Sequence, residues 1–181
     1  MLRQISAFIA LPLIASCTGP QATSTTVVTP PPVVAPPPIP QSPSAPIGRY
    51  AGDWSVDDVS TGEWRYSRAG GIASASFRGD DGTVHVVIAC GANSISIGRT
   101  GTVPAETAVN MQIRTSFALR ELSVRVDRTA RLIYSSTDVR DPLWGQIAYS
   151  RGRFLIETTA LPALIVPTGP EITRVVEDCQ G

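Results

Sequence analysis

The chain has 181 residues, 15 basic and 15 acidic side chains, and one histidine. A length of this order supports one domain plus a linker. The balanced charge excludes a global field that would recruit nucleic acid or an anionic membrane surface, so no nucleic-acid partner is expected.

The chain opens with a short apolar stretch behind Arg3 that ends in Leu13-Ile14-Ala15-Ser16-Cys17. Small residues directly before a cysteine resemble a bacterial lipobox, the motif cut by the lipoprotein signal peptidase. A spanning helix needs about 20 apolar residues, and this stretch is shorter and broken by Pro12. Residues 1–16 are therefore expected to be a signal peptide, and Cys17 the palmitate-bearing first residue of a lipoprotein. Thr18, where an aspartate would retain the protein in the inner membrane, favours the outer membrane by resemblance to enterobacterial sorting rules. The first expected partner is thus the membrane, through the lipid on Cys17, with the protein facing the periplasm.

Residues 17–47 are expected to be the lipidated cysteine and a linker. Pro30-Pro31-Pro32, Pro36-Pro37-Pro38, Pro40, Pro43 and Pro46 are separated by Val, Ala, Ser, Gln and Ile, with no charge. Such a run cannot build a packed core and favours an extended polyproline conformation. At about 3.1 Å per residue, some 30 residues reach on the order of 90 Å, enough to hold a domain clear of a membrane.

The globular domain is expected over residues 48–181. Residues 71–79 and 83–90 flank Asp80-Asp81-Gly82 and predict a β-hairpin. Ser94 to Ile97 alternates strictly after a turn at Gly91-Ala92-Asn93. Val109, Met111 and Ile113 alternate with polar neighbours, as do Leu122, Val124 and Val126, so each set predicts one strand with one wet face. Residues 131–135, 153–158 and 163–166 add three more. About eight short strands with regular turns predict a mainly β domain, an antiparallel sandwich or partly open barrel.

Two short helices interrupt the strands. Asp141-Pro142 supplies an N-cap and a first-turn proline, followed by Leu143, Ile147 and Ala148 at helical spacing, with Trp144 on the flank. The last helix starts at Gly169-Pro170 and places Ile172, Val175, Val176 and Cys179 on one face. Lipidation of Cys17 leaves Cys90 and Cys179 as an even pair in an oxidising compartment. Cys90 is in phase with Val84, Val86 and Ile88, and Cys179 with the apolar helix face, so both sulfurs point to one core. Their bond is expected to staple the C-terminal helix to the sheet. Closing a loop of about 90 residues contributes roughly 4–5 kcal/mol in the chain-entropy treatment, a large share of the roughly 5–15 kcal/mol that stabilises a domain.

No catalytic constellation emerges. His85 is the only histidine and sits mid-strand, with no Gly-x-Ser-x-Gly turn to present a nucleophile. One histidine and two bonded cysteines cannot assemble a zinc site, so neither metal nor cofactor is expected. Asp57-Asp58, Asp80-Asp81 and Glu177-Asp178 are adjacent pairs, whereas glycosidase chemistry needs carboxylates about 5–10 Å apart across a cleft. The protein is expected not to be an enzyme. Every basic residue is arginine, a usage that codon bias in a GC-rich genome explains. Arg114, Arg125, Arg131 and Arg153 fall on polar strand phases. On neighbouring strands they would form a face for phosphate or carboxylate groups. The alternative is a solvated face with Glu121, Asp127 and Glu157 as their partners.

Two segments carry a family resemblance. Asp141 to Phe154, with its Ser-Arg-Gly-Arg-Phe strand entry, and Pro170 to Cys179, ending in Glu-Asp-Cys, resemble an uncharacterised alphaproteobacterial envelope family over roughly residues 63–179. More loosely, the order of strands, helices and cysteines is similar to accessory proteins of type VI secretion systems and to the invasion-associated protein B family. The resemblance implies a fold and an envelope setting, and no catalytic residue. The resulting expectation is a non-enzymatic outer-membrane lipoprotein that binds or scaffolds an envelope protein or anionic polymer. The alternative is a periplasmic inhibitor lipoprotein similar to the small β-barrel lysozyme inhibitors, whose Ser-Gly and Tyr motifs this chain does not match.

Overall fold

The computed structural model describes residues 50–181. The expected signal peptide (1–16), lipidated Cys17, linker (17–47) and domain start at 48 lie outside the described residues. Ten strands and two helices follow in chain order. They are β1 (Gly62–Ala69), β2 (Ile72–Gly79), β3 (Val84–Cys90), β4 (Ser94–Thr100), β5 (Met111–Arg114), β6 (Leu119–Leu122), β7 (Arg125–Asp127) and β8 (Leu132–Asp138), then α1 (Pro142–Ala148), β9 (Arg153–Thr158), β10 (Leu164–Pro167) and α2 (Pro170–Gln180).

The strands form two antiparallel sheets, neither of them closed. One has the order β1-β2-β3-β4-β8-β7 and the other β10-β9-β5-β6. Alternation explains the packing, because every second residue of a strand faces the same way. Ala75, Phe77, Val86, Ile88, Ile95, Ile97 and Ile133 project from the six-stranded sheet. Met111, Ile113, Phe154 and Ile156 project from the four-stranded sheet into the same core. Each such fully buried large side chain contributes about 1.5–3 kcal/mol.

The expected hairpin of β2 and β3 forms, with Ser74 opposite Ala89 and Phe77 opposite Val86. Two refinements raise the strand number from about eight to ten. β1 pairs with β2 along its whole length through a two-residue turn, Gly70-Gly71, both at positive φ. The strand expected around Leu122, Val124 and Val126 is two strands. β6 pairs with β5, whereas β7 pairs with β8 in the other sheet. Alternation reports which way side chains point and says nothing about which neighbour takes the backbone hydrogen bonds, so it runs unbroken through this crossing.

Asp141 caps α1 by accepting from the Leu143 amide at 2.9 Å. Trp144, expected on the flank, is fully buried instead, and its indole Nε1 donates to the Asp138 carbonyl at 3.1 Å. The helix is packed on more than one side, by α2 and by the end of β8, so its apolar stripe is wider than the spacing suggests.

α2 lies over β1, β2 and β3 on the core face of the six-stranded sheet and buries Ile172, Val175 and Val176. Tyr66 of β1 donates to Asp178 at 2.5 Å, with the Arg174 guanidinium 4.0 Å over its ring. That hydrogen bond holds the Tyr66 hydroxyl above the ordinary tyrosine range. Cys90 and Cys179 are bonded, with Cα atoms 5.5 Å apart, and the bond ties the end of β3 to the last turn of α2.

Residues 50–60 form a strap across the outer face of the four-stranded sheet. Ser60 donates its amide to the Ile165 carbonyl at 2.8 Å, and the Tyr50 amide donates to Glu157 at 2.6 Å. Because core and strap cover opposite faces, all of residues 154–158 in β9 are buried.

Candidate anion-binding site

The four arginines read from strand phase do not assemble into one face. Arg114 and Arg153 lie on the outer face of the four-stranded sheet, under or beside the strap. Arg114 ion-pairs with the fully buried Glu157 at 3.3 Å, and Arg153 donates to the Asp57 carbonyl. Arg125 sits exposed on β7, opposite Tyr134, in the other sheet. Arg131 belongs to the β7–β8 turn, where it adopts φ 53° and donates from Nε to Thr102 at 3.1 Å.

Arg131 leads to a basic site that the polar strand phases do not include. Beside it stands Arg99, only 7% exposed, on the inward phase that continues from Ile95 and Ile97. An arginine in line with core isoleucines is the signal in the sequence.

A bulge in the hairpin places Arg99. The register of β2 and β3 shifts between Phe77 and Arg78, which face Val86 and Val84, so His85 is an extra residue without a ladder partner. The bulge turns carbonyls out of the ladder. Arg99 Nη1 donates to the His85 carbonyl at 3.1 Å and to the Thr100 carbonyl at 3.2 Å, and the Thr100 hydroxyl donates to the Val84 carbonyl. The guanidinium plane is thereby fixed at one end.

Its Nε side has no protein acceptor. Nε is buried with no hydrogen-bond partner, and among the described residues no carboxylate lies within ion-pair distance of the group. Burial alone draws the Arg99 guanidinium below the ordinary arginine range. A buried cation without a counter-charge is costly, and buried charges are ordinarily paired.

Arg99 lines a cavity of about 400 Å³ where the β9–β10 loop meets the end of the six-stranded sheet. Thr83, His85 and Arg131 add polar groups, while Val84, Ala130, Leu161 and Pro162 add apolar wall. Asp81, beside His85, is occupied by its own turn. It accepts from the Thr83 amide and hydroxyl, both at 2.8 Å. These bonds, with a smaller contribution from His85, hold its carboxyl below the usual range. His85 Nε2 and Asp81 Oδ1 close over Gly79, 2.7 and 3.0 Å from where a Cβ would stand.

The arrangement offers a fixed, largely buried cation on the wall of a small basic cavity. Compared with known proteins, the chain matches no family model, no curated sequence and no solved structure.

Proposed function

We propose that the chain is a lipid-anchored, non-enzymatic binding protein of the bacterial envelope. In this reading Cys17 holds it to the outer membrane, residues 17–47 carry the domain into the periplasm, and the domain holds an anionic group of an envelope polymer or protein. One observation carries the binding reading: Arg99 is buried, oriented by two backbone carbonyls and left without a counter-charge at a cavity. The lipobox-like run before Cys17 supports the location.

The test uses the full chain carrying Cys17→Ser, sedimented with peptidoglycan sacculi or with lipopolysaccharide. Retention is expected at about 0.1 M salt and is expected to weaken at about 1 M, where the screening length has fallen from about 10 Å to about 3 Å. Arg99→Gln should abolish it. Equal retention of Arg99→Gln and its parent on both polymers overturns the anion site. Palmitate label incorporated equally by the Cys17→Ser chain and the unaltered one overturns the anchor.

A further inference from the structure

We infer that a second cavity, between the strap and the β5–β6 turn, is a docking site for an acidic peptide segment of a partner protein, one whose carboxylates flank an apolar side chain. It shares no lining residue with the Arg99 cavity.

Hydrogen bonds between segments distant in sequence build the site. The Ser116 amide donates to the Ser150 hydroxyl at 3.0 Å, and the Arg151 amide donates to the Ser116 hydroxyl at 3.2 Å. Arg153 donates from Nη1 to the Asp57 carbonyl of the strap. Trp54, Ser55, Thr115, Ser116, Arg151 and Arg153 together line about 440 Å³, within the range of ligand pockets.

Unpaired donors select the ligand. Neither arginine has a carboxylate within ion-pair distance among the described residues. Arg151 is exposed. Nε and Nη2 of Arg153 have no protein acceptor among the described residues and, unlike Nε of Arg99, are not sealed from solvent. Two acids of the strap are engaged within it. Asp53 accepts from the Ser55 amide and hydroxyl, and Asp57 accepts from the Tyr50 hydroxyl at 2.7 Å. Thr115 is spent on the Phe117 and Ala118 amides and the Ala118 carbonyl. What remains is mainly donor: two guanidinium groups, the Ser116 hydroxyl and the Trp54 indole. A cationic, donor-lined cavity takes an acceptor-rich anion.

Two features favour a peptide over an acidic sugar. A saccharide brings many hydroxyl donors, and Asp53 and Asp57, which could accept from them, are already used. The surroundings are also apolar. Phe117 and Tyr149, each next in sequence to a partner in the Ser116–Ser150 bond, are 62% and 67% exposed, and Val56 of the strap is 73% exposed. Aromatic side chains beside arginines are the composition of protein-binding hot spots.

The probe is a synthetic hexapeptide alternating glutamate and phenylalanine, titrated into the full chain carrying Cys17→Ser. Of the three tryptophans, Trp64 and Trp144 are buried and Trp54 is partly exposed, so acrylamide quenching reports on Trp54. The peptide is expected to protect Trp54 saturably at about 0.1 M salt and less at about 1 M. The same peptide with glutamine for glutamate is not. Arg151→Glu, at a side chain with no bond among the described residues, should weaken binding about tenfold or more. Arg125→Glu, on the other sheet, and Arg99→Gln should leave it unchanged. Equal weakening by Arg125→Glu and Arg151→Glu overturns the site as a general charge effect. A chain of uronic acids that protects Trp54 at lower concentration than the peptide overturns the peptide assignment in favour of an acidic polysaccharide. No protection at millimolar peptide overturns the site outright. The Arg99 reading fails separately, on unchanged polymer retention in Arg99→Gln.

Discussion

The molecule buries two charged side chains in opposite circumstances. Glu157, in the four-stranded sheet, is fully covered and fully served, by the Arg114 guanidinium and by the Tyr50 amide of the strap. Arg99, in the six-stranded sheet, is almost as deeply covered and meets only carbonyl dipoles on one side. The first arrangement pairs its charges and holds two segments together, although Arg114 Nε stays buried without an acceptor. The second leaves donors and a charge uncompensated beside a cavity. Burial therefore does not by itself mark a functional charge; the missing counter-charge does.

The largest test asks whether the two sheets are also held independently. The Cys90–Cys179 bond ties α2 to β3 and touches nothing on the strap side. Cys179→Ala should lower the melting temperature by roughly 10 °C or more, reflecting several kcal/mol of lost chain restriction. Hydrogen exchange should then accelerate first in α2, while the amide of Ser60, bonded to Ile165, stays protected. Opening of the strap ahead of α2 would show that the two regions are one cooperative unit, and the contrast would lose its structural basis.

A smaller effect sharpens the paired side. Glu157→Ala removes the acceptor for both Tyr50 and Arg114. Breaking a buried ion pair by removing one partner typically costs about 3–5 kcal/mol. Arg114 keeps 34% of its side chain exposed and can recover some hydration, so about 2–3 kcal/mol is the expected loss in chemical denaturation. A change under about 0.5 kcal/mol, the range of an ordinary surface substitution, would mean that the pair holds nothing together.

Much of this frame was legible in the residues, because alternation and capping are local signals. The β2–β3 hairpin, α1 with its Asp141 cap, α2 and the disulfide all follow from phase and spacing. β1 gives no alternating signal because only Trp64 in it is buried, and its charged and small residues hide the period; the Gly70-Gly71 turn is the available clue. The strap gave no periodic signal, since residues 50–60 are held by isolated long-range hydrogen bonds. The arginine face failed for a related reason. Strand phase says which way Arg114, Arg125, Arg131 and Arg153 point, but pairing order assigns them to different sheets. Arg99 was legible as an arginine on an inward phase. Its lack of a counter-charge was not, because that depends on every element packed around it.

The smallest expected effect on stability bears hardest on the comparison. Arg99→Leu removes a buried cation that has no carboxylate to strand, and it fills the same space with apolar surface. Relief of desolvation favours the variant, and replacing buried ionic groups by hydrophobic ones of similar size is often neutral or stabilising. Against it stands the His85 carbonyl, which loses the guanidinium and keeps only the Thr100 hydroxyl at 3.4 Å. An under-satisfied buried acceptor costs about 1–3 kcal/mol, so the two contributions nearly offset. The expected net change is about 1 kcal/mol or less in either direction, measured by denaturant unfolding beside Glu157→Ala. A structural arginine behaves otherwise: its removal would cost as much as the loss of Glu157 or more, and that result would place both buried charges in the same class. Near-neutral stability together with lost retention on the anionic polymer would separate them, because a charge that costs the fold about as much as it contributes is retained for something outside the fold.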